Sequence, residues 1–372
     1  MPFSHYTGGK DSLSLTIAVS DSDFCRLTSN DHSRDAAEFH DFLPTLPPAT
    51  YSSDSIKFSV TAVRITLFPN HGICIGLTNH HAICDGSNLI GPSGLIQTWA
   101  SISKFNRDSH LSRKMLPSYD RSTVEGAADL TTMFWNHVRM FSPPASSTLP
   151  PPAFNVRGTF VLTEVEIRTF KKFLENQNPT MGHVSSYVAV CAHVWSCLAE
   201  ATAAAGERVN EDEPEYLSVS VDCRGRLTPP LPQTYLGNCL VFVLAQSTHG
   251  QLKGKKGLVV AARVIAAAIS KTVDGEGGVL VDAEENYLRR WEVAEKRLIG
   301  VAGSPKFDLH SVDFGWGGFR KFEVIHIDYN GAMSLTMSKQ GGIEVGLSMP
   351  KPKMDAFATI FNKNLCIMNS SL

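Results

Sequence analysis

The stretch Ser142 to Pro152, SPPASSTLPPP, divides this chain. Its prolines lack an amide donor, and its prolines and serines give a helix or sheet nothing to pack, so it reads as a linker. At 372 residues the chain exceeds the size at which one hydrophobic core keeps growing, and two domains are expected. The expected division is 1–141, the linker 142–152, and 153–372. A content of 43% hydrophobic and 19% charged residues is that of an ordinary globular protein with ample apolar material for a core.

The net charge of −2, with no cluster of Lys and Arg, leaves no footprint for nucleic acid, although a local basic pocket for a small acidic ligand needs no basic protein. The opening MPFSHYTGGK lacks the charged-then-apolar pattern of a signal peptide. No apolar run reaches the roughly 18 residues of a membrane span. Cys25, Cys74, Cys84, Cys191, Cys197, Cys223, Cys239 and Cys366 are scattered through apolar segments without a CxxC pair. They read as reduced thiols of a cytoplasmic protein.

Periodicity places a strand over Leu13–Ala18, a short helix over Asp21–Leu27, and β-branched strands over Phe58–Phe68 and Ile73–Thr78 joined by Pro69-Asn70-His71-Gly72. A helix is expected over Leu95–Ile102. Beyond the linker come a strand at Gly158–Leu162, a helix at Glu164–Glu175, and a long, largely apolar and therefore buried helix at Ser185–Ala205. Strands at Leu217–Val221 and Leu240–Leu244 precede two amphipathic helices, Leu258–Ser270 and Val281–Ile299. Strands at Phe322–Ile327, Met333–Ser338 and Ile343–Ser348 lead to a closing helix from Lys353. This mixture predicts an α/β or α+β protein with mixed sheets.

Three motifs carry chemistry. The first is His80-His81-Ala82-Ile83-Cys84-Asp85-Gly86, where a histidine leaves a strand and has a pKa suited to proton transfer at neutral pH. Alone it is equally a core histidine beside a solvated aspartate. His71, Cys74, His80, His81, Cys84 and Asp85 also raise a metal reading, such as a zinc hydrolase, but no HxxxH or CxxC spacing supports one. The second is Asp313-Phe314-Gly315-Trp316-Gly317, otherwise a tight turn with a packed Trp. The third joins Asp222-Cys223-Arg224-Gly225-Arg226 to Tyr235-Leu236-Gly237-Asn238-Cys239.

Together these motifs resemble the plant family called BAHD acyltransferases, whose signatures are HxxxD and DFGWG in this order and at about this separation. Tyr-Leu-Gly-Asn-Cys is similar to the YFGNC pattern of the branch acting on anthocyanins and other flavonoid or phenolic glucosides. Asp11–Ala18 with Asp23-Phe24, Arg34-Asp35-Ala36, Trp99-Ala100, Gly341–Leu347 and Met354–Phe357 extend the resemblance over nearly the whole chain from about Tyr6.

The resemblance implies a two-domain, chloramphenicol acetyltransferase-like fold with an inter-domain channel. It implies O-acyl transfer from malonyl-CoA or hydroxycinnamoyl-CoA, the co-substrate, to a sugar hydroxyl of a phenolic glycoside, by a cytoplasmic monomer. No metal, nucleic acid or membrane is implied. His81 is the expected base and Trp316 the candidate oxyanion donor, with Asp313 either catalytic or shaping its turn. Asp85 is expected to turn away from His81 and pair with Arg224 or Arg226. Gly86, Gly315 and Gly317 are expected to shape the backbone, and Gly237 and Asn238 are candidates for binding the co-substrate. A covalent intermediate on Cys84 is disfavoured, since nothing orients a Cys-His pair.

Three departures from the family pattern carry expectations. The helix after Asp85 should start late because of Pro92. Gly318 stands where the branch has an arginine that would suit a malonyl carboxylate. Family members also carry several dozen residues before the point where this chain begins. The expectation is apolar surface left uncovered where those residues would lie, and the alternative to an active enzyme is an inactive relative acting as a binding or regulatory protein.

Overall fold

A computed structural model describes residues 4–52, 56–106, 116–124, 126–141, 153–254 and 256–370. The expected linker 142–152 lies outside the described residues.

Strand β1 (Ser14–Val19) leads to α1 (Phe24–Thr28), whose N-terminus Asp23 caps by accepting from the Arg26 amide at 2.9 Å. β2 (Arg34–Asp35), α2 (Ala37–His40), β3 (Thr50–Tyr51) and β4 (Ile56–Lys57) are short. The expected strand pair forms as β5 (Thr61–Phe68) and β6 (Gly72–Asn79), in register from Thr61↔Asn79 to Phe68↔Gly72. After α3 (Gly86–Ile90) the chain breaks at Gly91-Pro92-Ser93-Gly94 before α4 (Leu95–Phe105). α5 spans Ala127–Phe141.

The second half follows as β7 (Asn155–Leu162), α6 (Glu164–Gln177), α7 (Ser186–Ala204), β8 (Pro214–Asp222), β9 (Leu240–Thr248), α8 (Gly257–Val273) and α9 (Ala283–Glu292). It ends with β10 (Arg297–Ala302), α10 (Ile327–Asn330), β11 (Met333–Met337), β12 (Ile343–Pro350) and α11 (Lys351–Ser370).

A seven-stranded mixed sheet runs β2-β7-β12-β11-β10-β8-β9. Its first strand comes from ahead of residue 142, where Arg34 and Asp35 pair antiparallel with Arg157 and Val156. A three-stranded sheet, β1-β5-β6, carries the strand that ends at the histidines. Helix α7 is the centre of the main core: Trp195 is fully buried, as are Val190, Cys191 and Val194. By length and composition α7 would suit a bilayer, but 78% of its apolar window is buried in this protein. The packing of Phe170, Leu217, Val243, Leu335 and Phe357 in the same cluster accounts for that burial.

The structure corrects two sequence expectations. The amphipathic stretch 281–299 is helical only over α9; Arg297–Ala302 is a strand set parallel between β8 and β11. Two flanking partners there outweigh a helical period, as tertiary context commonly does. The alternating stretch 322–327 is no strand. Its charges are drawn into a buried cluster instead, where Glu323 meets Arg34 at 3.0 Å and Arg157 at 2.9 Å. Asp328 pairs there with His40 at 2.9 Å and also with Arg157.

The small sheet has two unlike faces. On one, Phe68 packs with Leu27, Phe39 and Phe42. On the other, register aligns Leu15, Ile17 and Val19 with Val63, Ile65 and Leu67 of β5, and these with Leu77, Ile75 and Ile73 of β6. Ile17 is 76% and Val19 69% exposed, so this aliphatic face is open along β1 and at Leu67 and Ile73, while Val63 is covered.

Candidate active site

Strand β6 ends at Asn79, whose side-chain oxygen accepts from the Thr61 hydroxyl at 3.2 Å. His80 follows, its ring 5.4 Å from Phe58 and its Nδ1 accepting from the Ala82 amide at 3.3 Å. His81 is the next residue, on a turn, with its side chain exposed. Burial, then the neighbouring charge of His81, lowers the pKa of His80. Of the two adjacent histidines His80 is packed and His81 faces solvent.

Asp85 is 1% exposed and does not reach toward His81. Its Oδ1 accepts from the amides of Ser87 at 3.1 Å and Asn88 at 3.4 Å, capping α3. Its Oδ2 accepts from the Cys239 amide at 3.1 Å and pairs with Arg224 Nη2 at 2.9 Å. Arg224 is fully buried, whereas Arg226 is exposed and its guanidinium donates to the Asp222 carbonyl at 2.7 Å. The partner of Asp85 is therefore Arg224. Burial alone would lower the Arg224 pKa, but the carboxylates of Asp85 and Asp222 raise it above its ordinary value.

The same arginine gathers the loop at 235–239. Its Nη2 donates to the carbonyls of Tyr235 at 3.1 Å and Gly237 at 2.9 Å. Asn88 completes the junction by donating to the Tyr235 carbonyl at 2.9 Å and accepting from the Gly237 amide at 3.1 Å. Gly237 has φ 147°, and a Cβ there would lie 3.0 Å from the Arg121 guanidinium. Asn238 Nδ2 donates to the His81 carbonyl at 2.8 Å. Gly237 and Asn238, the candidates for binding the co-substrate, buttress the histidine loop here: Gly237 is buried, and the amide nitrogen of Asn238 donates to the His81 carbonyl. Asn88 escaped the sequence reading; its one signal was its place three residues after Asp85.

The DFGWG turn sits against α4. Asp313 Oδ1 accepts from the amides of Gly315 at 2.8 Å and Gly317 at 3.0 Å, and Oδ2 from Lys104 at 2.8 Å. These bonds, the Lys104 contact foremost, bring the Asp313 pKa down to about 2. Asp313 therefore shapes the turn, one of the two parts expected for it. Gly315 and Gly317 adopt φ of 99° and 93°, which side chains rarely tolerate. Gly86 meets no such demand, since an added Cβ would find only ordinary contact with Phe307 at 3.8 Å. Trp316 is 68% exposed and stacks on Phe314 at 5.8 Å. Phe314 in turn meets Trp99 edge-on at 5.0 Å. Among the described residues the contacts of Trp316 are with its own turn and do not include His81.

Cys84 is 5% exposed, and burial followed by the Asp85 charge pushes its pKa up to about 11. A thiol held neutral is a poor nucleophile. No group of three or more His, Cys, Asp or Glu side chains suited to a metal occurs among the described residues. The arrangement that remains is one exposed imidazole on a loop clamped from behind by a buried ion pair, able to accept a proton from a substrate hydroxyl.

Comparison with known proteins places the chain among acyltransferases. A family model described as "Transferase family" matches residues 15–363. The chain is 38% identical to a malonyl-coenzyme:anthocyanin 5-O-glucoside-6'''-O-malonyltransferase of Salvia splendens, over 98% of this chain and 77% of that one. It is 37% identical to a malonyl-coenzyme A:anthocyanin 3-O-glucoside-6''-O-malonyltransferase of Dahlia pinnata, over 95% and 76%. Identity is 31% to a coumaroyl-CoA:anthocyanidin 3-O-glucoside-6''-O-coumaroyltransferase of Arabidopsis thaliana, over 98% and 79%. Among solved structures, vinorine synthase shares the fold with a TM-score of 0.60 at 19% identity, covering 91% of this chain and 73% of that one. The F. graminearum protein TRI101, complexed with coenzyme A and deoxynivalenol, shares it with a TM-score of 0.58 at 16% identity, over 93% and 79%.

Proposed function

Since this chain belongs to the Transferase family, we propose that it moves a malonyl group from coenzyme A to a sugar hydroxyl of an anthocyanin or other phenolic glucoside, with His81 as general base. The observation that carries the reading is the exposed His81 imidazole on a loop fixed through Asp85–Arg224 and Asn238. His81 takes the proton from the acceptor hydroxyl while that oxygen attacks the thioester carbonyl. The C–S bond then breaks, the proton passes to the coenzyme A sulfur, and the new ester leaves. A positioned base of this kind contributes ~10²–10⁴-fold. The high pKa of buried Cys84 favours direct attack over an acyl-enzyme. The malonyl donor is favoured over a hydroxycinnamoyl one because the two relatives at 38% and 37% identity are malonyltransferases.

In this reading the two substrates meet at His81 from opposite mouths of a channel, and the protein works as a cytoplasmic monomer. The decisive experiment follows coenzyme A release with malonyl-CoA or coumaroyl-CoA and an anthocyanidin glucoside. Ester formation that is faster with malonyl-CoA and lost in His81→Ala supports the proposal. Transfer that survives in His81→Ala refutes the mechanism, and absence of transfer from either donor refutes the function.

A further inference from the structure

Helix α9 carries an arginine, Arg290, that has no acidic partner among the described residues. Arg290 is partly buried, with its guanidinium carbon 5.3 Å from the centre of the Phe242 ring and 5.7 Å from that of Trp291. Among the described residues no carboxylate acts on it, and burial lowers its pKa. Arginine nevertheless stays charged at physiological pH. Burying a charge without a counter-ion is costly, and stacking on two aromatic rings offsets only part of that cost. An uncompensated cation of this kind is poised to receive an anion.

Its position ties it to the reaction centre. Phe242 lies on β9, four residues along from Asn238, whose amide holds the His81 carbonyl. At ~3.3 Å per residue along an extended chain, the backbones of Phe242 and Asn238 are about 13 Å apart, so the aromatic seat of Arg290 and the histidine loop hang from neighbouring positions of one segment. His326, before α10, reports on both: burial lowers its pKa, and the charges of His81 and Arg290 lower it further. Both charges therefore act on one neighbouring imidazole. The residue after the DFGWG turn, Gly318, brings no charge of its own.

We infer that Arg290 receives the free carboxylate of the malonyl group and selects a donor whose acyl chain ends in an acid, an inference that rests on the acyl-CoA reading above. The phosphates of coenzyme A lie beyond the pantetheine arm, away from the reacting carbonyl, and a neutral glucoside acceptor has no carboxylate. The malonyl carboxylate, one methylene from the carbonyl that is attacked, is the anion that stands near the base in every turnover.

The test compares malonyl-CoA with acetyl-CoA, which differ only in that carboxylate. Losing a hydrogen bond between charged groups corresponds to between about tenfold and a hundredfold. Arg290→Leu should raise the KM for malonyl-CoA by that factor and leave the KM for acetyl-CoA within about twofold. Arg290→Lys keeps the charge without the planar fork and should fall between; it also serves if the leucine variant does not fold. Equal changes for both donors, or no change for malonyl-CoA, overturn the inference. Calorimetric binding of the two thioesters separates this outcome from failure of the proposed function. A wild-type preference for malonyl-CoA that vanishes in Arg290→Leu supports the inference even if no acyl group is transferred, and equal binding refutes it.

Discussion

Replacing Asp85 by asparagine separates a structural from a chemical part for the motif aspartate. The carboxylate is 1% exposed and Arg224 is fully buried, so no water can take over the lost charge. Asparagine keeps the size and one acceptor oxygen, and it caps helices well, so α3 should keep its N-terminus. What changes is Oδ2. There an NH2 group would face the Cys239 amide and Arg224 Nη2, which now approach the carboxylate at 3.1 and 2.9 Å. Breaking a buried pair from one side typically costs ~3–5 kcal/mol. Asp222, 3.0 Å from Arg224 Nη1 and 37% exposed, keeps part of the compensation, so about 2–4 kcal/mol is expected. At ~2–4 °C per kcal/mol for a large domain, that lowers Tm by about 4–16 °C. A loosened histidine loop should slow turnover by about tenfold to a hundredfold. The double variant Asp85→Asn/Arg224→Met removes both charges and should regain most of the Tm without regaining the rate. Thermal unfolding followed by circular dichroism, alongside coenzyme A release, reads both. A slow Asp85→Asn enzyme with an unchanged Tm would refute the clamp and assign Asp85 to the chemistry.

Three further outcomes are expected. His81→Ala should cut kcat by ~10²–10⁴-fold while urea unfolding stays within about 0.5 kcal/mol of wild type, because the side chain is exposed. His193, buried between Phe170 and Phe361, has its pKa lowered to about 3 by burial. The folded state thus binds the proton less well than the unfolded chain, so the stabilisation is full above pH ~6.5 and falls as the pH drops toward 3, by about 2 kcal/mol between 6.5 and 5. Urea titrations at the two pH values should show this loss, and His193→Phe should remove it. The open aliphatic face of β1, β5 and β6 should bind a hydrophobic dye, and Ile17→Thr with Val19→Thr should weaken the signal at nearly constant Tm; a native protein silent to the dye would contradict that exposure.

Local signals carried the site's first half. β-Branched residues on either side of Pro69-Asn70-His71-Gly72 announce the β5–β6 hairpin, and the hairpin delivers His81 to a strand end. The helix expected to start late because of Pro92 instead begins at once as α3 and breaks at Gly91–Gly94 before α4, whereas the Gly315 and Gly317 turn was readable from the residues that allow positive φ. α5 was not read, because its threonines and aromatics are weak helix formers. β10 was hidden for the opposite reason. Arg297–Ala302 continues the helical period of α9 closely enough to pass as its last turns, and only the two strands beside it decide the outcome.

The second half of the site depends on pairings between residues far apart in the chain, which local pattern cannot encode. Arg224 and Arg226 are two residues apart in the same loop, yet one is fully buried against Asp85 and the other exposed. Their difference arises from the short 3₁₀ turn 224–226, which points the first inward to the carbonyls of Tyr235 and Gly237 and the second toward the Asp222 carbonyl at the surface. The stretch 322–327 is the same lesson with the sign reversed. Its alternation looks like a strand, but Arg34 and Arg157 sit fully buried on β2 and β7, and two buried guanidinium groups must be neutralised wherever the backbone permits. Glu323 and Asp328 provide that neutralisation, and their segment takes the path that brings them there in place of the path its apolar residues would prefer. Buried charge, which the pattern of apolar residues does not reveal, therefore shapes the chain both behind His81 and at the edge of the large sheet.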